Sequence, residues 1–192
     1  MTTTPTGAGP EPEPAGGARS DVRSDVEAAP DELAAERYGV PASLSRDQLV
    51  LHPDRATYLE LTGRLKDEGY VVCVDVTAVD FLTHQAPRHL PDGVVAERFE
   101  VVANLLNHAA RSRIRLRVQV PDGEPSCPSL WPLHAGVENP EREVYDMFGI
   151  TFDGHPDMTR ILMPETWQGH PLRKDYPVGQ IPVQFKGAPS SR

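Results

Sequence analysis

The sequence predicts an α+β fold: a small, mainly antiparallel sheet with a covering helix, followed by a short helix and a long extended C-terminal arm. Three observations lead there. Two neighbouring segments alternate apolar and polar residues with a period of two, and one stretch spaces its apolar residues for a helix stripe. The residues after Gly149 follow neither period.

Residues 1–36 are rich in Pro, Gly, Ala and acidic side chains and lack apolar periodicity. Such a composition buries too little surface to offset its ordering entropy, so it reads as a disordered, dispensable acidic tail. Residues 37–137 are expected to form the α+β domain, and 138–192 a helix plus a partner-binding arm. Within the domain, Gln48–Leu51 reads as a short strand closed by His52-Pro53. Over 54–68, Tyr58, Leu61 and Leu65 form an amphipathic stripe, with Asp54 as the cap and Gly69 as the stop. Tyr70–Val76 is β-branched enough for a buried strand, and a polar loop is expected over 83–93.

The clearest element is a hairpin. Phe99, Val101, Ala103 and Leu105 alternate on one strand, and Ile114, Leu116, Val118 and Val120 on the next, joined by Asn107–Arg111. The opposite face carries Arg113, Arg115, Arg117 and Gln119. It reads as a solvated face paired with Glu97 and Glu100, with an acidic partner as the sharper alternative.

Asn139 as N-cap and Pro140 at the first helical position predict a helix start. Glu141 and Glu143 then favour the positive end of the helix dipole, Val144, Met147 and Phe148 form the buried stripe, and Gly149 ends it. Asp146 is out of place: a carboxylate in the last turn opposes the dipole, which points to a tertiary or partner contact. Beyond Gly149, Phe152, Ile161, Leu162, Met163, Trp167, Leu172 and Tyr176 recur among Asp153, Asp157, Arg160, Arg173, Lys174 and Asp175. Apolar anchors interleaved with charges suit a chain laid across a partner's surface.

Composition excludes several functions. The formal charge is −9, but residues 1–36 hold eight acidic and two basic side chains, which leaves a body close to neutral and no basic footprint for nucleic acid. Two cysteines, Cys73 and Cys127, are too few for a four-thiolate iron–sulfur cluster, and counting alone leaves a single disulfide open. No apolar run approaches the ~20 residues that span a bilayer, and no signal-like segment is seen, so a cytoplasmic setting is expected. His134, His155 and His170 lie near acidic residues, but there is no H-E-x-x-H, glycine-rich phosphate loop or nucleophile elbow, and no catalytic metal is expected.

Three runs in order carry a family resemblance: E-R-E-x-x-D-M-F-G-I at 141–150, F-x-G-H-P-D-M-x-R-I-L-M-P at 152–164 and G-H-P-L-R-K-D-Y-P at 169–177. They resemble the C subunit, or thirty-kilodalton subunit, of respiratory complex I, the proton-translocating NADH–quinone oxidoreductase. The sequence departs from that pattern at Asn139, where an aromatic is expected. The resemblance implies a peripheral-arm subunit without catalytic residues or a cofactor of its own, in a complex that uses FMN, iron–sulfur clusters, NADH and quinone. It implies the D subunit as main partner, near the quinone-reducing end, with the B and I subunits also adjoining. Membrane association would come only through the complex, on the cytoplasmic side. The interface it implies comprises Glu141, Arg142, Glu143, Asp146, His155, Arg160, Trp167, His170, Arg173, Lys174 and Asp175. An equivalent accessory subunit of a membrane-bound hydrogenase complex is the alternative.

Overall fold

A hairpin with one apolar face seeds the sheet. In the computed structural model, which describes Met1 and residues 36–177, β4 (Phe99–Asn107) pairs antiparallel with β5 (Ser112–Val120). The register sets Val101 opposite Val118, Ala103 opposite Leu116 and Leu105 opposite Ile114, so the alternating residues share one buried face. Asn107 closes the turn by accepting the Ala110 N–H at 3.0 Å. The acidic tail expected over residues 1–36 lies almost wholly outside the described residues.

Three further strands complete a five-stranded sheet in the order β1-β2-β5-β4-β3. β2 (Gln48–Leu51) is the expected short strand, and it runs parallel to β5. β1 (Ala42–Ser45) was not expected; it joins β2 through Arg46 and Asp47, both in the left-handed region at φ 49° and 62°. That two-residue turn lacks the Asn-Gly signal that usually betrays one. β3 (Val72–Asp80) runs farther than Tyr70–Val76 and is an edge strand rather than a buried one. Its apolar composition reflects a single buried face of Val76 and Ala78, while Val74 and Val79 are exposed and the register slips between Cys73 and Asp75.

α1 (Tyr58–Asp67) buries Tyr58, Leu61 and Leu65, the expected stripe. It starts later than residue 54. The Asp54 carboxylate caps the preceding turn instead, accepting the backbone and hydroxyl hydrogens of Thr57, both at 2.7 Å. α2 (Glu138–Phe148) follows one 3-10 turn at Ala135–Val137 and packs beside β3. Its N-cap is Val137, not Asn139, and Pro140 sits at the third helical position, still within the first turn, where no N–H is required. Two short strands, β6 (Ser126–Pro128) and β7 (Thr151–Asp153), form a parallel pair that three-residue lengths hide from periodicity. Residues of the sheet, both helices and β7 meet in one hydrophobic core.

On the polar face of the sheet Arg115, Arg117 and Gln119 are half-buried in a hydrogen-bonded network, with the expected Arg117–Glu100 pair at its centre, and Arg113 stays exposed. Glu100 is 2% exposed and binds Arg117 at 2.6 Å and Arg88, from the 83–93 loop, at 2.7 Å. Gln119 joins the same carboxylate at 2.6 Å, and Arg115 donates to Asn104 and Gln48. No helix of the described residues is long and apolar enough to cross a membrane.

Candidate functional site

The misplaced carboxylate of α2 organises the C-terminal segment. Asp146 is fully buried, and one of its oxygens accepts three successive backbone N–H groups, from Ile161, Leu162 and Met163, at 3.1, 2.8 and 2.8 Å. Its other oxygen takes the Arg160 guanidinium at 2.6 Å. Burial pushes the carboxyl's pKa up, but those amides and Arg160 outweigh it, and the net direction is below the ordinary 3.8. The unfavourable helix-dipole position is thereby offset by four donors.

The arm continues along the end of α2. His170 donates Nδ1–H to the Asp146 carbonyl at 3.0 Å, and the Leu172 N–H reaches the Met147 carbonyl at 3.0 Å. Gly149 is required there twice over: its φ is +76°, and a Cβ would lie 2.7 Å from the His170 ring. Arg142 does not pair with Asp146. It binds the Thr159 carbonyl and hydroxyl and the Arg160 carbonyl at 2.8–3.1 Å. His155 accepts the Asp157 N–H on Nδ1 and so donates Nε2–H to the Glu138 carbonyl, both at 3.0 Å. Trp167 is half-buried, its backbone N–H bonded to the Pro164 carbonyl.

A second buried carboxylate holds the arm's far end. Asp80 closes β3, is fully buried at its side chain, and accepts two Arg98 N–H groups at 2.9 and 3.1 Å and the Lys174 N–H at 2.8 Å. Burial raises its pKa; Arg98 and the Lys174 and Leu82 amides bring it below 3.8. Arg98 also binds Asp175 at 2.8 Å and Asp122 at 3.0 Å. Arg173 reaches the same Asp122 at 2.9 Å and lies over the Phe99 ring at 5.0 Å. Glu141 is a third buried carboxylate, accepting Ser129 Oγ–H at 2.6 Å and the Leu130 N–H at 2.8 Å. With no cation bound to it among the described residues, burial dominates and its pKa is raised.

The residues singled out by sequence therefore divide. Glu141 and Asp146 are buried; Arg142, His155, Arg160, Trp167, His170 and Arg173 are half-buried; Glu143, Lys174 and Asp175 are exposed. Sequence reasoning missed Asp80, Arg98, Arg88 and Ser129, which act across 94 residues in the case of Asp80 and Lys174 and carry no local pattern. The only signal was a charge at the end of each strand, Asp80 after Val79 and Arg98 before Phe99. Outward from this framework stand Ile161, Leu162 and Leu172, exposed by 38%, 53% and 49%. Among the described residues no three His, Cys, Asp or Glu side chains converge as a metal site, and both cysteines are free thiols.

These features define a class: an α+β domain whose C-terminal arm is pinned to its own surface by buried carboxylates. The chain belongs to the family of the respiratory-chain NADH dehydrogenase 30 kDa subunit, whose model matches residues 51–182. It is 44% identical over 146 residues to the C subunit of NADH-quinone oxidoreductase from Mycobacterium avium, covering 74% of this chain and 58% of that relative. The same subunit of Saccharopolyspora erythraea is 41% identical over 81% of this chain and 62% of its own length. That of Mycobacterium bovis BCG is 39% identical over 94% of this chain and 74% of its own length. The chain thus spans about six-tenths of the first two relatives. A trypsin-resistant fragment of Nqo5 superposes with a TM-score of 0.55 at 34% identity, covering 62% of this chain and 89% of the fragment. A chain of an archaeal membrane-bound sulfane sulfur reductase shares the fold at a TM-score of 0.55 and 18% identity, covering 80% and 90%.

Proposed function

We propose that the chain serves as the C subunit of a proton-translocating NADH–quinone oxidoreductase, contributing no catalytic residue and holding the D subunit near the quinone-reducing end. The observation that carries this reading is the pinned arm. Asp146 and Asp80 fix its backbone, so Ile161, Leu162 and Leu172 point outward without a core of their own. Exposed apolar residues on a preorganised backbone, with the exposed charges Glu143, Lys174 and Asp175 on the same helix and arm, lose little entropy on docking, as a protein interface requires. On this reading Glu141, Arg142, Asp146, His155, Arg160, Trp167, His170 and Arg173 shape the arm, and the exposed residues touch the partner. FMN, clusters, NADH and quinone belong to the neighbouring subunits, and the B and I subunits adjoin the same region. The chain is held at the cytoplasmic side of the membrane through the complex. The curated relatives described above are all quinone-linked NADH oxidoreductase subunits, so the hydrogenase-type alternative is not favoured.

The test is a paired measurement on Ile161→Ser/Leu162→Ser. The variant should unfold at the wild-type temperature but recover less of the D subunit in a pull-down from cells making both chains. Full recovery of that partner would remove the arm from the interface.

A further inference from the structure

At the end of the sheet opposite Asp80, the β1–β2 and β4–β5 turns and the chain entry at Arg37 surround an open depression. Arg37, Arg46, Arg111, Arg113 and His108 line it, all exposed, and Asp47 is the single carboxylate among its lining residues. Every other arginine between residues 36 and 177 donates its guanidinium to a side chain or a carbonyl, as Arg88, Arg98, Arg117 and Arg160 do to carboxylates. The four that have no such partner among the described residues are the four gathered here. Two of them stand on unusual backbone: Arg46 and Arg111 occupy left-handed turn positions at φ 49° and 50°, where Asn or Gly is favoured. Unpaired cations concentrated on a net-negative chain attract any acidic segment held nearby.

Such a segment is covalently attached. Residues 1–36 carry eight acidic and two basic side chains, and they join the body at Arg37, on the rim of the depression. We infer that the depression is a docking surface for the chain's own acidic N-terminal segment, which thereby screens it from acidic segments of other proteins. Tethering makes the encounter intramolecular, so modest Coulomb attraction suffices at low salt, and screening weakens it as ionic strength rises.

The full chain with Cys73→Ser and a spin label on Ser24→Cys tests this by relaxation enhancement of the Arg111–Arg113 amides. Broadening is expected at roughly 20 mM salt and its loss at about 0.5 M, where the Debye length shrinks to a few ångströms. Broadening should also vanish in R111E/R113E. Absence of broadening at low salt, or its persistence in the reversed variant, would overturn the inference. A second arm uses polyglutamate as probe. The full chain bearing D21N/D25N/E27Q/D31N/E32Q should bind it roughly tenfold more tightly at low salt than the unsubstituted chain, because the intramolecular competitor is gone. Equal affinity would contradict the inference and leave the depression open to a partner's acidic segment.

Discussion

Three of the four buried carboxylates in this small domain respond to acid in two opposite ways. Asp146 and Asp80 have depressed pKa values, so each contributes stability above its unfolded value, near 3.8, that is lost as pH falls through the folded one. Glu141 is raised above 4.5, so the folded state binds the extra proton, and stability declines as pH rises from 4.5 through the folded value. Glu141→Gln should therefore gain on the wild type between about pH 4 and pH 7, as denaturant unfolding at both pH values would show. Equal differences at the two would mean that burial does not govern Glu141. Glu141→Ala also strands the Ser129 hydroxyl and the Leu130 N–H and should cost about 1–3 kcal/mol near pH 4, with a smaller loss near pH 7 because the wild type weakens there. Asp146→Ala leaves Arg160 and three amides without their acceptor, and a loss of about 3 kcal/mol is expected from thermal unfolding. The sequence exposed Asp146 as anomalous because the helix dipole makes it so. It concealed that the answering donors are backbone amides fifteen to seventeen residues on, since every residue type but proline carries one.

At the scale of elements, legibility followed repetition. The β4–β5 hairpin and the α1 stripe were readable because several apolar side chains repeat at one period and all face one core. β6 and β7 were not, since three residues give no period to count, and β1 was not, since Ala-Ser-Leu-Ser holds no β-branched or aromatic residue. The composition of β3 predicts a buried strand where the structure has an edge strand, because β-branched content reports sheet preference and not position in the sheet. The arm was legible as a non-periodic, anchored segment, yet its path along α2 depends on contacts that no spacing encodes. Arg98 is the hub of that path, joining Asp80, Asp122 and Asp175. Arg98→Ala should leave the buried Asp80 uncompensated, at a cost of about 3 kcal/mol. It should also free residues 170–177, seen as faster amide exchange at Lys174 than at Leu116 in the core. Unchanged protection at Lys174 would mean that the His170 and Leu172 contacts suffice to hold the arm.

For the whole molecule, the proposed division of labour is that folding fixes the arm and the exposed strip binds. The two demands use different residues, so they separate by mutation. Exposed apolar residues contribute little to the fold, and replacing Ile161, Leu162 or Leu172 by Ser should each change unfolding by no more than about 0.5 kcal/mol. Truncating anchors in the centre of an interface typically costs about 2 kcal/mol or more of binding. The most direct measurement is made in cells whose own copy of this gene is replaced by the I161S/L162S/L172S variant. NADH–quinone reductase activity of their membranes is read beside the amount of assembled complex on a native gel. Both should fall together while the purified variant melts at the wild-type temperature; wild-type levels of assembled, active complex would contradict a binding role for the strip.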